Sequence, residues 1–290
     1  MAAKLGAMRR LSFRLCDVFT ERALTGNALA VFTDAEGSDD ETMQALAREM
    51  NLSESVFVFA PTSSAADARV RIFTPRIELP FAGHPILGTA FVLAGSIEKE
   101  KLVRLETGRG VVPVRLTPRP DRAAFGWMSQ PLPLRQPFDR ADELLAAIGV
   151  SRSGLPVELY DNGPRHVQIE LATAAEVAAV SPDMQRLARL GNLVVSVFAR
   201  KGEGWKTRVF APAEGIVEDP ATGAAAGPLA LHLARHGRVR FGDEVVIEQG
   251  AEMLRPSTLH ARAFGDSERV ERVEVGGSAV VIARGEIDLP

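Results

Sequence analysis

Phe81-Ala82-Gly83-His84-Pro85-Ile86-Leu87-Gly88 follows an apolar strand, Arg69 to Phe73, and a Thr74-Pro75 turn, and it opens a helix. About 139 residues further on the order returns. Strand Arg208 to Phe210 leads through Ala211-Pro212 to Asp219-Pro220-Ala221-Thr222-Gly223-Ala224-Ala225-Ala226-Gly227, and a helix follows again. A strand ending in Phe-x-Pro, a glycine loop and a helix, met twice, indicate duplication with pseudo-twofold symmetry. The length of 290 residues fits two such units.

Outward from these loops, short apolar runs alternate with turn signals. Arg14 to Phe19, Leu29 to Phe32, Ser55 to Ala60 and Ala68 to Phe73 are predicted strands, rich in Val, Phe and Ile. Asp39 to Asn51 is predicted helical, with Met43, Leu46, Ala47 and Met50 at helical spacing. A second helix follows His84-Pro85 to about Ala94. Strands at Lys101 to Glu106, Val111 to Leu116 and Arg122 to Trp127 come next, the first two joined by a tight turn at Thr107-Gly108-Arg109-Gly110. Pro131, Pro133 and Pro137 mark a linker between halves.

Beyond the linker, Arg140 to Ile148 is predicted helical and Pro156 to Tyr160 and His166 to Leu171 are strands. Thr173 to Leu190 holds one or two short helices. Leu193 to Ala199 and Lys206 to Phe210 flank a Gly202-Glu203-Gly204 hairpin. Pro228 makes the last long helix, from about Gly227 to His236, begin late or distorts it. Four strands follow through Ile287. Mixed strands with one or two helices per half mean α+β.

Composition narrows the chemistry. With 46% apolar and 24% charged residues the chain is globular, and no run of about 18 apolar residues spans a membrane. A net charge of -3, with both signs interspersed, argues against a nucleic-acid or anionic-membrane surface. Cys16 stands alone, which excludes an internal disulfide, a cysteine zinc cluster and a redox pair. The lysines have polar or glycine neighbours, unlike a desolvated Schiff-base lysine. No Walker, Gly-x-Ser-x-Gly or Gly-x-Gly-x-x-Gly motif occurs. Met1 to Arg10 lacks the apolar stretch of a signal peptide, so the cytoplasm is the expected compartment, with Met8 an alternative start.

The glycine loops are the natural place for a site. Each sets backbone N–H groups and a positive helix end toward a ligand, so a carboxylate or phosphate fits there. Ordinary capping reads the same residues differently, with His84 and Asp219 as N-caps before proline at the first helical position. Gly223 and Gly227 cost about 1 kcal/mol each against alanine, which favours close approach to the backbone. An imidazole at a helix N-terminus is pushed toward neutrality, which lets His84 relay a proton near neutral pH. Glu54 opens the apolar strand Val56 to Phe59, either as a desolvated general acid/base or as an exposed loop glutamate. Glu78 is read as an acceptor for loop backbone, and Asp17, Thr25 and Asn27 as turn and edge residues. His166, His232, His236 and His260 are scattered. His232 and His236 are one helical turn apart, but no acidic third ligand lies nearby in sequence. Two carboxylates and a histidine near two anion-receptive helix ends suit proton transfer on a small carboxylate-bearing molecule.

The chain resembles the phenazine-biosynthesis PhzF-like family, within the diaminopimelate epimerase-like fold. The resemblance is carried in family order from end to end. It includes Asp17-Val18-Phe19, Gly26-Asn27-Ala28-Leu29-Ala30-Val31, Asn51-Leu52-Ser53-Glu54-Ser55 and Phe81-Ala82-Gly83-His84-Pro85. Glu218-Asp219-Pro220-Ala221-Thr222-Gly223, Gln249-Gly250, Arg255-Pro256-Ser257 and Gly276-Gly277 complete it. It implies two similar α+β domains, each a curled, mostly antiparallel sheet around a central helix, at 1-128 and 129-276. A last strand, 277-290, returns to the first domain.

It also implies a cofactor-free isomerase, a small carboxylated substrate in the cleft, and a homodimer. Glu54 would be the principal acid/base, with His84 and Asp219 assisting. The N–H groups of Gly83, His84, Gly223 and Ala224 would hold the substrate carboxylate. The family usually has serine where this chain has Ala224, which removes a hydroxyl from the cleft and bears on the substrate. A racemase or epimerase using Glu54 and Asp219, and a non-catalytic binding protein, are the alternatives. The related epimerases use two cysteines, a role Cys16 alone cannot fill.

Overall fold

The computed structural model describes residues 9–289; the alternative start at Met8 lies outside them. The first half runs β1 (Arg9–Val18), β2 (Asn27–Phe32), α1 (Asp40–Met50), β3 (Glu54–Phe59), β4 (Ala68–Phe73), β5 (Glu78–Leu79) and α2 (Gly83–Ala94). It continues with β6 (Lys101–Thr107), β7 (Gly110–Arg119) and β8 (Arg122–Gln130). The second half repeats this plan. It runs β9 (Leu134–Pro137), α3 (Ala141–Ile148), β10 (Glu158–Asp161), β11 (Arg165–Glu170), α4 (Ala174–Ala179), α5 (Met184–Arg189) and β12 (Val194–Lys201). Then come β13 (Gly204–Ala211), β14 (Ile216–Asp219), α6 (Gly223–Arg235), β15 (Val245–Gln249), β16 (Ser257–Gly265), β17 (Val270–Gly277) and β18 (Ala279–Leu289).

Strand pairing makes the duplication explicit. In the first half β2 pairs parallel with β3, β3 antiparallel with β4, and β4 parallel with β6. In the second, β11 pairs parallel with β12, β12 antiparallel with β13, and β13 parallel with β15. One further strand in each half closes on the same relative neighbour: β18, last in the chain, lies antiparallel to β1, and β9, first in the second half, to β10. β8 pairs with β17, so the two curled sheets share one hydrogen-bonded seam. The architecture is α+β, as read from the sequence. The proline-rich linker holds an ordered edge strand, β9, because Pro137 ends the strand and Leu134 to Gln136 keep their N–H groups.

Both α2 and α6 are almost wholly buried, each wrapped by its own sheet. Apolar side chains of both helices join one core with Val18, Leu29, Val56, Phe198 and Leu259. The late start expected for the last helix is wrong: α6 begins at Gly223, with Pro228 inside it. Proline has no N–H for the carbonyl of Ala224, and Asn162 supplies the missing donor at 3.0 Å. Gln130 likewise donates to the Gly223 carbonyl at 2.8 Å. Two side chains from other elements thus hold the first turn in register. Asn162→Leu should cost about 1–3 kcal/mol by leaving a buried carbonyl unpaired. The urea midpoint at constant slope measures it; a midpoint unchanged from wild type would refute the compensation.

The halves are also clasped together near their ends. Arg255 donates to the buried carboxylate of Asp17 at 2.6 Å and to the carbonyls of Gly26 and Thr25. Asp17 is therefore structural, but it is a buried residue of β1, which is paired on both sides, not the turn or edge residue expected. Among the described residues no helix is long and apolar enough to cross a membrane.

Candidate active site

The N-termini of α2 and α6 meet. A Cβ built on Gly83 would lie 2.3 Å from the Ala224 nitrogen and 2.4 Å from the Gly223 carbonyl carbon. Only glycine permits that approach. Ala82 and Thr222 are the N-caps, and neither side chain caps its helix. The capping reading therefore fails for both candidates: His84 is the second helical residue, and Asp219 ends β14. Two positive helix ends converge on one small cavity of about 30 Å³, with Glu54, His84, Asp219 and Glu214 in its wall.

Glu54 is 6% exposed, not the exposed loop residue that the sequence also allowed. It starts β3 where that strand pairs with Leu29 of β2, so the sheet carries its side chain inward. Burial, then the charges of Asp219 and Glu214, raises its carboxyl well above the ordinary range. Among the described residues its Oε2 has no hydrogen-bond partner and lies 3.4 Å from His84 Nε2, which also has none. Burial drives the His84 imidazole down to about 3, so it is neutral at pH 7. The Asn27 amide nitrogen faces His84 Nδ1 at 3.2 Å. That nitrogen is a donor, so Nδ1 accepts and the ring hydrogen sits on Nε2, toward Glu54.

Asp219 is fixed on every side. Its Oδ1 accepts from Asn27 at 2.8 Å and Ser53 at 2.9 Å, and its Oδ2 from Thr222 at 2.6 Å. Gln249 donates to the Asp219 carbonyl and to Thr222 Oγ1. Burial raises the Asp219 carboxyl, while those three hydrogen bonds pull against it. Asn27, read from sequence as an edge residue, is thus the link between Asp219 and His84. Its sequence signals were a strand position next to a glycine and its place in one of the stretches that carry the family resemblance. Glu214 and His166 also reach the cavity, and sequence reading singled out neither for it.

Other expectations resolve differently. Glu78 is exposed and pairs with Arg71 at 2.5 Å, so it does not support the glycine loop. Cys16 is buried in β1, and burial pushes its thiol up, as an inert thiol. His232 and His236 do gain an acidic neighbour. Glu158, from β10, brings its carboxylate to 3.3 and 3.1 Å of their ring nitrogens. Chain distance hid this contact. Burial alone would raise Glu158, but hydrogen bonds from His232, Tyr160 and His236, with Arg135 beside them, hold it well below the usual carboxylate range. The cluster is a hydrogen-bonded network that ties α6 to β10.

The chain is similar to known proteins over nearly its whole length. Residues 16–285 match the PhzC-PhzF family model, described as phenazine biosynthesis-like protein. A trans-2,3-dihydro-3-hydroxyanthranilate isomerase of Pseudomonas aeruginosa is 49% identical over 93% of this chain and 96% of its own. One from Pseudomonas fluorescens is 46% identical over 96% of this chain and 99% of its own. The Bacillus anthracis phenazine biosynthesis protein of the PhzF family superposes with a TM-score of 0.81 at 25% identity, covering 97% of this chain and 99% of that one. A hydroxyproline epimerase of Agrobacterium vitis shares the fold, with a TM-score of 0.68 at 15% identity, over 98% of this chain and 93% of that one. The chain is an isomerase and belongs to the phenazine biosynthesis-like, PhzC-PhzF family.

Proposed function

We propose that this protein isomerises trans-2,3-dihydro-3-hydroxyanthranilate, or a close ring analogue, by moving a proton between ring carbons. Glu54 takes the proton from one carbon and returns it to another. The N–H groups of Gly83, His84, Gly223 and Ala224 hold the substrate carboxylate, and the converging helix ends stabilise charge that spreads into it as the C–H bond breaks. The neutral His84 offers Nε2–H to the ionised Glu54, and Asp219, through Asn27, fixes the ring that does so. Ala224 contributes its N–H alone. The cavity has room for little more than a water, so the two halves part to admit a ring.

One observation carries the reading: Glu54 has no acidic twin. β2 and β3 pair Leu29 with Glu54, and β11 and β12 pair His166 with Val194, so Val194 is the counterpart of Glu54. An epimerase needs an acid and a base on opposite faces of one carbon. Of the three carboxyl groups on the cavity, Asp219 is tied by Asn27, Ser53 and Thr222, whereas Glu54 Oε2 has no partner among the described residues, which suits a proton shift by Glu54 along one face. Units at 1-128 and 129-276, with strand 277-290 closing the first, a cytoplasmic location and a homodimer belong to this reading, the homodimer on the resemblance alone.

Proton NMR of a reaction with trans-2,3-dihydro-3-hydroxyanthranilate tests it. The expected result is a C–H signal lost at one ring carbon and a new one at another. Absence of turnover, together with solvent deuterium entering the Cα of a free amino acid, would replace the isomerase by an epimerase.

A further inference from the structure

The pseudo-symmetry exposes an anomaly on the inner face of the second sheet. Register equates Leu29 with His166, Val31 with Gln168, and Val56 with Ser196. The first half keeps three buried apolar side chains at these places, and the second has three buried polar ones. Both ring nitrogens of His166, both amide atoms of Gln168 and the Ser196 hydroxyl lack a partner among the described residues. Buried polar groups ordinarily find one. His166 is 0% exposed and stands in the cavity wall. Burial drives it down to about 3, so its ring is neutral and offers a lone pair.

Glu214 joins it there. The short helical turn Pro212–Glu214 ends at Gly215, whose φ of 90° reverses the chain and turns into β14, and Glu214 is 4% exposed. With Glu54 and Asp219 it makes three carboxyl groups around one small cavity, and among the described residues no lysine or arginine lines it. The substrate carboxylate already has the helix ends. What the acidic wall lacks is a cation.

We propose that Glu214 and His166 recognise an amine on the substrate ring, Glu214 by charge and His166 as a neutral acceptor. The inference rests on the reading above that a small ring carboxylate occupies this cavity. Within that substrate, which carries both an amine and a carboxylate, it puts the amine on the side of β11 and the turn before β14. Burial, with Asp219 nearby, pushes the Glu214 carboxyl up to about 7. A bound ammonium would relieve that strain on its charge.

The test is binding, which needs no turnover. Calorimetry compares 2-aminocyclohexanecarboxylate with cyclohexanecarboxylate on the wild type, Glu214→Gln and His166→Leu. Leucine is what the symmetric site carries, and glutamine keeps the shape of Glu214, so both variants should fold; retained melting midpoints check this. The wild type should prefer the aminated ring by about tenfold or more, as expected for a charge-assisted contact of about 1.5–3 kcal/mol. Glu214→Gln should reduce that preference to within twofold and His166→Leu should reduce it severalfold. Both should bind the unaminated ring as the wild type does. No wild-type preference, or equal weakening of both rings by the variants, overturns the proposal. If the preference holds but trans-2,3-dihydro-3-hydroxyanthranilate is not turned over, the isomerase substrate falls and the amine subsite stands.

Discussion

Glu54→Gln is expected to lower kcat by about 10²–10⁴-fold, the range for losing one positioned acid/base, with KM within a few-fold of wild type. Glutamine keeps the shape and leaves the helix ends untouched, so carboxylate binding survives. The same variant should be more stable at neutral pH. Burial, then Asp219 and Glu214, raises the Glu54 carboxyl in the folded state. A group raised in this way favours the fold fully below its unfolded pKa, and that benefit is lost as pH rises through the folded value. At pH 7 the acid is therefore a net burden that glutamine removes, and the melting midpoint should rise. Loss of activity with a gain in stability separates a chemical role from misfolding.

The pH profile follows from the same arrangement. Glu54 must be ionised to take a proton from carbon, so kcat/KM should fall on the acid side, with a limb above the ordinary carboxylate range. Asp219→Asn removes a neighbouring negative charge and should move that limb to lower pH. Because the carboxyl groups titrate together, the limb belongs to the cluster. A limb at the usual glutamate value, or a Glu54→Gln enzyme retaining more than a tenth of kcat, would remove Glu54 from the proton transfer.

The sequence made the duplication legible because Phe-x-Pro, glycine loop and helix are local features that survive in one dimension. Strand positions were legible for the same reason: Ala68–Phe73 and the hairpin at Thr107 to Gly110 come from nearest neighbours. The start of α6 was not. Pro228 forbids a local hydrogen bond, and the cure, Asn162, lies 62 residues upstream of the Ala224 carbonyl it satisfies. The same limit hid Asn27 and the Glu158 contact with His232 and His236, whose partners meet only through the sheet. His166 was present in the sequence but unreadable until register showed that its twin is Leu29. Glu54 was ambiguous in one dimension, since the residue that opens a strand is exposed or buried according to the neighbouring strand.

Gly83→Ala should damage both the packing and the function of the site. The added carbon would meet the Ala224 nitrogen at 2.3 Å and the Gly223 carbonyl carbon at 2.4 Å, both backbone. No rotamer change relieves that contact, so the N-termini of α2 and α6 must part. Overpacking of this kind costs about 1–3 kcal/mol. The functional loss should be larger than that stability change suggests. The four N–H groups act on one carboxylate only while they converge, and a displacement of about 1 Å costs on the order of 10²-fold in rate. Affinity for a simple carboxylate such as benzoate, and kcat/KM, should therefore both fall about 10²-fold.

Gly88→Ala supplies the control, because its Cβ would meet the side-chain methyls of Leu29 and Val18 at 2.7 Å, within the same core but away from the helix ends. It should lower the melting midpoint while leaving benzoate affinity within twofold. If Gly83→Ala kept wild-type benzoate affinity, the converging helix ends would not be the carboxylate site. If both variants lost affinity in proportion to their stability, packing alone would account for Gly83. A loss confined to Gly83→Ala ties the duplicated glycine loop to the ligand, since only where the two copies touch does a missing side chain make room for a shared anion.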